Sequence, residues 1–453
     1  MPPNIVFVFA DDLGYGDLSS YGSREIDTPN IDRIAAQGAR FTDFYVGASV
    51  CSPSRASLLT GRYPIRMRMD PLGVFFPFST GGLDPAEVTI AEVLRQRGYA
   101  TALIGKWHLG HLPEFLPTRQ GFDVFYGLPY SNDMDEPQFP GEEPPARPCI
   151  SLLPDCRPGV PLMDGETILE MPVIQETLTQ RYTERAIAFI RGAVASERPF
   201  FLYYASSSPH TPLYASDAFR GTSDGGLYGD VVEELDWSVG EILQELHALA
   251  IDDDTLVVFT SDNGPWLLWQ TDAEVPQGGL DSGSAGPLRE GKSSTFEGGM
   301  RVPMVVRWPR RIPAGQTITR PATMIDWLPT LAGFAGAPLP EQVELDGEDI
   351  GPLLAGTDTD SADGFRYLYY RQDNSGLGAY REGRWKLKLA VVGGESVYAR
   401  YDHGDLLFDL EVDPAEKNDL SARDPDRVEG MRTRMNEIAA GVDRFDRPSV
   451  VRR

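Results

Sequence analysis

Ile5-Val6-Phe7-Val8-Phe9-Ala10-Asp11-Asp12-Leu13-Gly14 is the stretch that decides the fold. An unbroken run of apolar, β-prone residues, ended by an acidic pair and a glycine, predicts a strand buried on both faces. The pattern recurs at Leu256–Thr260, which runs into Ser261-Asp262-Asn263-Gly264. Tyr99–Ile104, Phe200–Ala205 and Met304–Trp308 also read as buried strands. Helical patterns lie between them at Ile31–Gln37, Ser54–Thr60, Ile90–Arg97, Leu178–Val194, Val231–Leu249 and Met324–Ala335. In Val231–Leu249, the residues Leu235, Val239, Ile242, Leu243 and Leu246 share one helix face. Strand–helix alternation of this kind predicts an α/β fold, a mostly parallel sheet covered by helices on both faces.

Residues 130–175, rich in Pro, Gly, Asp and Glu, read as a long surface excursion that shapes access to a site. Residues 355–365 form a polar linker. Beyond it, short strands are expected near Tyr367–Tyr370, Ala379–Arg381, Trp385–Leu389 and Leu406–Asp409, with a helix near Arg427–Ala440. The expected division is a catalytic domain over 1–360 and a smaller α+β domain with an antiparallel sheet over 361–453.

The chain has 453 residues, 41% apolar and 24% charged, which is ordinary for a soluble globular protein. No apolar run approaches the ~20 residues of a membrane span, so no membrane partner is expected. Met1-Pro2-Pro3 leads at once into a strand with no visible signal peptide. The protein is then cytoplasmic, or periplasmic or secreted if this is the mature form. A net charge of −26 argues against nucleic acid as a partner. Cys149 and Cys156 lie in a Pro-rich stretch and are read equally as a small-loop disulfide or as two free thiols. With five histidines in the chain and none beside these cysteines, zinc is not expected there.

Asp11 and Asp12 follow one buried strand, and Asp262 and Asn263 follow another. Either pair alone is an ordinary turn former. Together, at the carboxyl ends of strands in an open α/β sheet, they form a set of hard oxygen ligands. Such a set favours Ca2+, with Mg2+ second, over zinc or copper.

The third cysteine stands in Cys51-Ser52-Pro53-Ser54-Arg55-Ala56-Ser57-Leu58-Leu59-Thr60-Gly61-Arg62. With Ser52 as N-cap and Pro53 opening a helix, Cys51 and Arg55 meet in positive potential. That suits a thiolate, a deprotonated diol oxygen or a bound sulfate alike. Further cationic and imidazole groups follow strands: Lys106 and His108 in Gly105-Lys106-Trp107-His108, and His210 in Pro209-His210-Thr211-Pro212. Lys106 and His108, two apart, would point the same way from an extended backbone. Lys292 heads Gly291-Lys292-Ser293-Ser294-Thr295-Phe296-Glu297-Gly298-Gly299, which lacks the features of a P-loop. His247 reads as a helix residue, and His111 and His403 as surface.

The run Cys-x-Pro-Ser-Arg with Leu-Leu-Thr-Gly-Arg resembles the signature of the type I, formylglycine-dependent sulfatases. The order Asp-Asp, Cys-x-Pro-Ser-Arg, Gly-Lys-Trp-His, His, Asp-Asn-Gly, Gly-Lys and Glu-Gly-Gly-x-Arg-x-Pro is theirs as well. Gly127-Leu128-Pro129-Tyr130-Ser131, Phe200-Phe201-Leu202-Tyr203-Tyr204-Ala205 and Leu345-Asp346-Gly347 look like arylsulfatase A and N-acetylgalactosamine-6-sulfatase. The resemblance implies an alkaline-phosphatase-like core and hydrolysis of a small-molecule sulfate monoester, aryl or sugar. It implies that Cys51 becomes Cα-formylglycine through a formylglycine-generating enzyme, and that the hydrate attacks sulfur. By motif, Asp11, Asp12, Asp262 and Asn263 hold the metal, with modified Cys51 as nucleophile and further ligand. Arg55 braces the nucleophile, His108 acts on the diol, and Lys106, His210 and Lys292 grip sulfate. Ser131 lies in the substrate pocket. The rival readings are a phosphate or phosphonate ester hydrolase on the same scaffold, an inactive sulfatase-like binding protein, and a Cys–His thiol hydrolase. The last has no use for Asp11, Asp12 and Asp262.

Overall fold

The computed structural model describes residues 2–67, 73–134, 159–267, 282–358, 362–371, 376–391 and 403–442. Ile5, Phe7 and Phe9 enter one apolar cluster, while Val6, Val8 and Ala10 enter another. That split by twos is how a strand serves two cores at once. The strand, Asn4–Ala10, lies within a ten-stranded sheet. Thr255–Ser261 pairs with it in parallel on one side, Ala10 opposite Ser261. On the other side Phe200–Ala205, Ala100–Lys106 and Val124–Leu128 continue the parallel run. Past Thr255–Ser261 come the antiparallel Met304–Arg307, then Ala39–Phe41 and Gln316–Ile318.

Helices cover both faces. Pro29–Ala36, Leu178–Ala195 and Gly226–Ala248 bury Ile31, Ile190 and Leu235 on the Val6 side. Cys51–Thr60, Ile90–Arg95 and Trp327–Ala335 bury Leu59, Leu94 and Leu331 on the Phe7 side. There the Trp327 ring meets Phe7 edge-on at 5.4 Å. Toward the C-terminus, Arg366–Tyr370, Leu377–Glu382, Trp385–Lys388 and Leu406–Asp409 form a four-stranded antiparallel sheet. Helix Pro425–Val442 lays Met431, Met435 and Ala439 into the Phe7-side cluster. Among the described residues no helix is long and apolar enough to cross a membrane. Cys149, Cys156 and the expected boundary at 360/361 lie outside the described residues.

Several local expectations change. The helix of the Cys51 motif begins at Cys51 itself, capped by extended Val50 rather than by Ser52. The Ser52 hydroxyl instead donates to the His108 carbonyl at 2.7 Å, a tertiary bond no local pattern reveals. Strand Tyr99–Ile104 extends to Lys106, passing Gly105 at φ +115°, where a Cβ would stand 1.8 Å from Ala205 O. The far end of the 130–175 excursion is an ordered hairpin, Leu162–Asp164 and Thr167–Glu170, on the sheet edge beside Val124–Leu128. His111, expected on the surface, is buried with its ring against Tyr130.

Candidate active site

The parallel strands end at one edge of the sheet, and each delivers its polar residues there. Asp11 and Asp12 leave Asn4–Ala10, and Asp262 and Asn263 leave Thr255–Ser261. Lys106 closes its strand, with His108 two residues on. His210 follows Phe200–Ala205, and Ser131 follows Val124–Leu128. Met304–Arg307 runs the other way, with Met304 opposite Thr260, so the turn before it brings Lys292 to the same edge.

The eleven residues singled out in the sequence are all buried at this edge. Cys51 Sγ lies 3.3 Å from Lys292 Nζ and 3.6 Å from Asp11 Oδ1. Lys292 Nζ also donates to the Asp12 carboxylate at 2.8 Å and to His210 Nε2 at 3.1 Å. Lys106 Nζ donates to Asp11 Oδ2 at 2.6 Å and to Ser131 Oγ at 2.9 Å. Arg55 reaches Asp262 Oδ2 at 2.8 Å and Asp11 Oδ1 at 3.2 Å, and donates to the Lys106 carbonyl. It thereby ties three strand ends together. His108 is aimed by a left-handed backbone, φ +58°, and not by extended alternation from Lys106.

Oxygen, sulfur and nitrogen ligand atoms of Asp11, Asp12, Cys51 and His210 fall within 4.8 Å of one another. Asp262 Oδ1 accepts from the Asp12 amide at 3.0 Å, and Asn263 Nδ2 donates to Asp12 Oδ1 at 2.7 Å. Asn263 Oδ1 is buried with no hydrogen-bond partner. An unpartnered buried amide oxygen beside three carboxylates fits a hard cation. The expected set of Asp11, Asp12, Cys51, Asp262 and Asn263 therefore meets at one place, with His210 an added neighbour.

A cavity of about 180 Å³ opens over this cluster. Cys51, His108, Ser131, His210 and Lys292 line its floor, and Val74, Phe76, Met134 and Trp266 give it apolar walls. It can hold a small tetrahedral anion with part of an attached group.

A family model for Sulfatase matches residues 3–337, more than half of the chain. The chain belongs to the sulfatase family. A second model, the C-terminal part of N-sulphoglucosamine sulphohydrolase, matches residues 291–440. Human arylsulfatase A is 44% identical, covering 92% of this chain and 83% of its own length. Canine N-acetylgalactosamine-6-sulfatase is 39% identical, with 93% and 82% covered. The crystal structure of the PsFucS1 sulfatase from Pseudoalteromonas sp. superposes with TM-score 0.84 at 27% identity, covering 99% of this chain and 92% of that one. This sulfatase is accordingly a sulfuric ester hydrolase with an alkaline-phosphatase-like core.

The site's electrostatics suit that chemistry better than a thiol hydrolase. Burial pushes the Cys51 thiol far up despite Lys106 and Lys292 nearby, so it is a poor thiolate. Burial also works to raise Asp11, but Lys106 and Arg55 outweigh it and hold that carboxyl well below the usual range. Burial and the neighbouring Asp11 charge push Asp262 up to about 7. Burial, with Lys106 and Arg55 close by, drives His108 well down, so its imidazole is neutral.

The sequence reading missed the cavity walls. Val74, Phe76 and Met134 sit in loops with no periodicity to mark them. It also missed Asp17, which accepts from the amides of Gly14 and Ser284 and from the Tyr228 hydroxyl, binding the metal-side loop to the segment after residue 281. Only Trp266, directly after Asp262-Asn263-Gly264-Pro265, carries a positional hint.

Proposed function

We propose that this sulfatase hydrolyses small aryl or sugar sulfate monoesters with a formylglycine made from Cys51 and a bound calcium ion. The observation that carries the reading is Cys51 held between Lys292 and Asp11 on the floor of a small, cation-lined cavity. The activities for which the arylsulfatase and galactosamine-sulfatase relatives are named support it. Asp11, Asp12, Asp262 and Asn263 would hold the ion together with residue 51. Formylglycine would supply a geminal pair of hydroxyls, one to attack sulfur and the other to expel sulfate by C–O cleavage with return of the aldehyde, and the cation would supply the charge that stabilises the attacking oxygen.

The chain's own residues do the rest. Lys106 and Lys292 draw the sulfate oxygens to the floor, offsetting charge in the transition state, with His210 holding the Lys292 ammonium in place. Ser131 fixes the Lys106 ammonium. The Phe75 carbonyl can only accept, so it takes the Nε2 proton of His108 at 3.0 Å and leaves the lone pair on Nδ1. That nitrogen is buried with no partner, a base ready to take a proton from residue 51. The Thr211 carbonyl likewise takes the Nδ1 proton of His210, turning Nε2 toward Lys292. Lys292 and His210 together are placed to return a proton to the departing alcohol or phenol.

Comparison of p-nitrophenyl sulfate with p-nitrophenyl phosphate tests the reading. Turnover of the sulfate is expected to dominate. A faster phosphate reaction would overturn it in favour of a phosphoesterase.

A further inference from the structure

A second buried ion cluster stands behind the turn that carries Lys292, and it is assembled from both ends of the chain. Glu297 opens the short helix Glu297–Met300, five residues after Lys292. Its Oε1 accepts from Lys386 Nζ at 2.9 Å and its Oε2 from the Tyr45 hydroxyl at 2.6 Å. Its backbone amide donates to Glu416 Oε2 at 2.7 Å. Lys386 Nζ lies 2.9 Å from Glu416 Oε1, closing the triangle. Glu297, Lys386 and Glu416 are all fully buried. The Glu416 carbonyl also accepts from Arg289 Nη1 at 3.0 Å, and the Arg289 guanidinium lies 3.9 Å from the Phe296 ring centre.

None of Glu297, Lys386 and Glu416 lines the cavity over Cys51, yet their contacts lead straight to the reacting groups. The Gly299 carbonyl accepts from the Gly264 amide at 3.1 Å, directly behind Asn263. The approach is so close that a Cβ on Gly264 would stand 1.8 Å from Gly298 O. On the other side of the turn, the Lys292 amide donates to Pro265 O at 2.9 Å and the Ser293 amide to Ser49 O at 2.7 Å, two residues before Cys51. A shift of Glu297 therefore moves Lys292, Asn263 and the approach to Cys51 together. Buried charges cost desolvation energy, and hydrophobic residues would pack this position at least as cheaply. What the charges provide is direction, since an amide and a carboxylate held from three sides have one arrangement.

We infer that Lys386 and Glu416 are positioning residues of the sulfatase centre, fixing through Glu297 the turn that presents Lys292 to the sulfate. The inference rests on the reading of Lys292 as a sulfate-gripping group.

Inorganic sulfate binding, measured by calorimetry on the calcium-loaded protein, tests it without requiring turnover. Glu416→Ala removes the acceptor of the Glu297 amide. It is expected to weaken sulfate about tenfold in the wild-type background and less than about twofold in a Lys292→Ala background. kcat on p-nitrophenyl sulfate should follow the same pattern, while the fall in Tm is equal in both backgrounds. A purely structural role would weaken sulfate by the same factor with or without Lys292, and that result overturns the inference. Unchanged sulfate affinity in folded Glu416→Ala overturns it as well. If Glu416→Ala does not fold, Glu416→Gln takes its place in the same cycle, with a smaller effect of the same pattern expected. Wild-type protein that binds sulfate through Lys292 but turns over no sulfate ester would sink the functional reading and leave the positioning result standing.

Discussion

The two buried ion clusters have matching charge and opposite uses. At the sheet edge, Asp11, Asp12 and Asp262 face Arg55, Lys106 and Lys292. Behind the Lys292 turn, Glu297, Glu416 and Asp43 face Lys386, Arg381 and Arg301. The second is closed: Lys386 has a carboxylate on each side, and Glu297 spends both oxygens and its amide on neighbours. The first is open: Asn263 Oδ1 has no partner, Cys51 and Lys292 line a cavity, and the His108 Nδ1 lone pair is unused. A balanced cage with spare ligands can take a divalent cation and an anionic ester together without acquiring a large net charge. A balanced cage without them can only hold backbone in place. Balance alone does not mark a site; ligand atoms left unspent at the floor of a cavity do.

If that contrast is right, damage to the open cluster appears as lost activity at little cost in stability, and damage to the closed one as lost stability accompanied by the weaker sulfate binding of a displaced Lys292. Cys51→Ala should be the extreme case, lowering p-nitrophenyl sulfate turnover by more than about 10⁴-fold with the fold intact and calcium still bound through the four remaining side chains. Near-wild-type turnover in that variant would break the comparison outright. Intact-peptide mass sharpens it, because conversion of the thiol to an aldehyde removes about 18 Da.

Lys106→Met should cut kcat/KM by about 10²–10³-fold yet cost little Tm with calcium present, because Arg55 still faces Asp11 at 3.2 Å. Chelation should abolish activity, and calcium should restore more of it than magnesium does, as read by p-nitrophenyl sulfate assay. Lys386→Met adds a large stability loss to the weakened sulfate binding expected of the closed cluster. It leaves Glu297 and Glu416 buried without the cation between them, and denaturant unfolding should show a loss of about 3–5 kcal/mol.

The smallest expected effect is one of pH. Burial raises the Asp17 carboxyl from 3.8 to about 7 in the folded protein. Between those values the native state holds a proton that the unfolded chain has released, so stability falls as pH rises through that window. Asp326, pushed by burial to about 7, acts with the same sign. Glu297 has the opposite sign: burial works to raise it, but Lys386 and Arg381 hold it at about 2, so it matters only in more acidic solution. Tm should therefore be a few degrees higher at about pH 5.5 than at about pH 7.5, and Asp17→Asn should flatten part of that slope.

The strands could be read because each is a local run of apolar side chains, and those runs fix the sheet's core before any contact is known. The motif residues could be read for a related reason: Asp11-Asp12, Asp262-Asn263 and Lys106 sit at strand ends, and parallel strands share one edge. Val124–Leu128 escaped notice because Gly127 breaks its apolar run, and the Leu162–Glu170 hairpin because it borrows its order from that neighbour.

Sequence by itself determined the α/β core, the family signature around Cys51 and the identity of the polar residues that gather at the carboxyl edge, since these follow from side-chain type and spacing along short stretches. Tertiary structure alone decided that Asn263 Oδ1 is left unpartnered, that Asp17 is locked between two loops, that apolar loops wall the cavity, and that Lys386 and Glu416 stand behind the Lys292 turn. The physical reason is separation: Lys386 lies 89 residues from Glu297, and the order of the strands, not the chemistry of the side chains, brings such residues into contact.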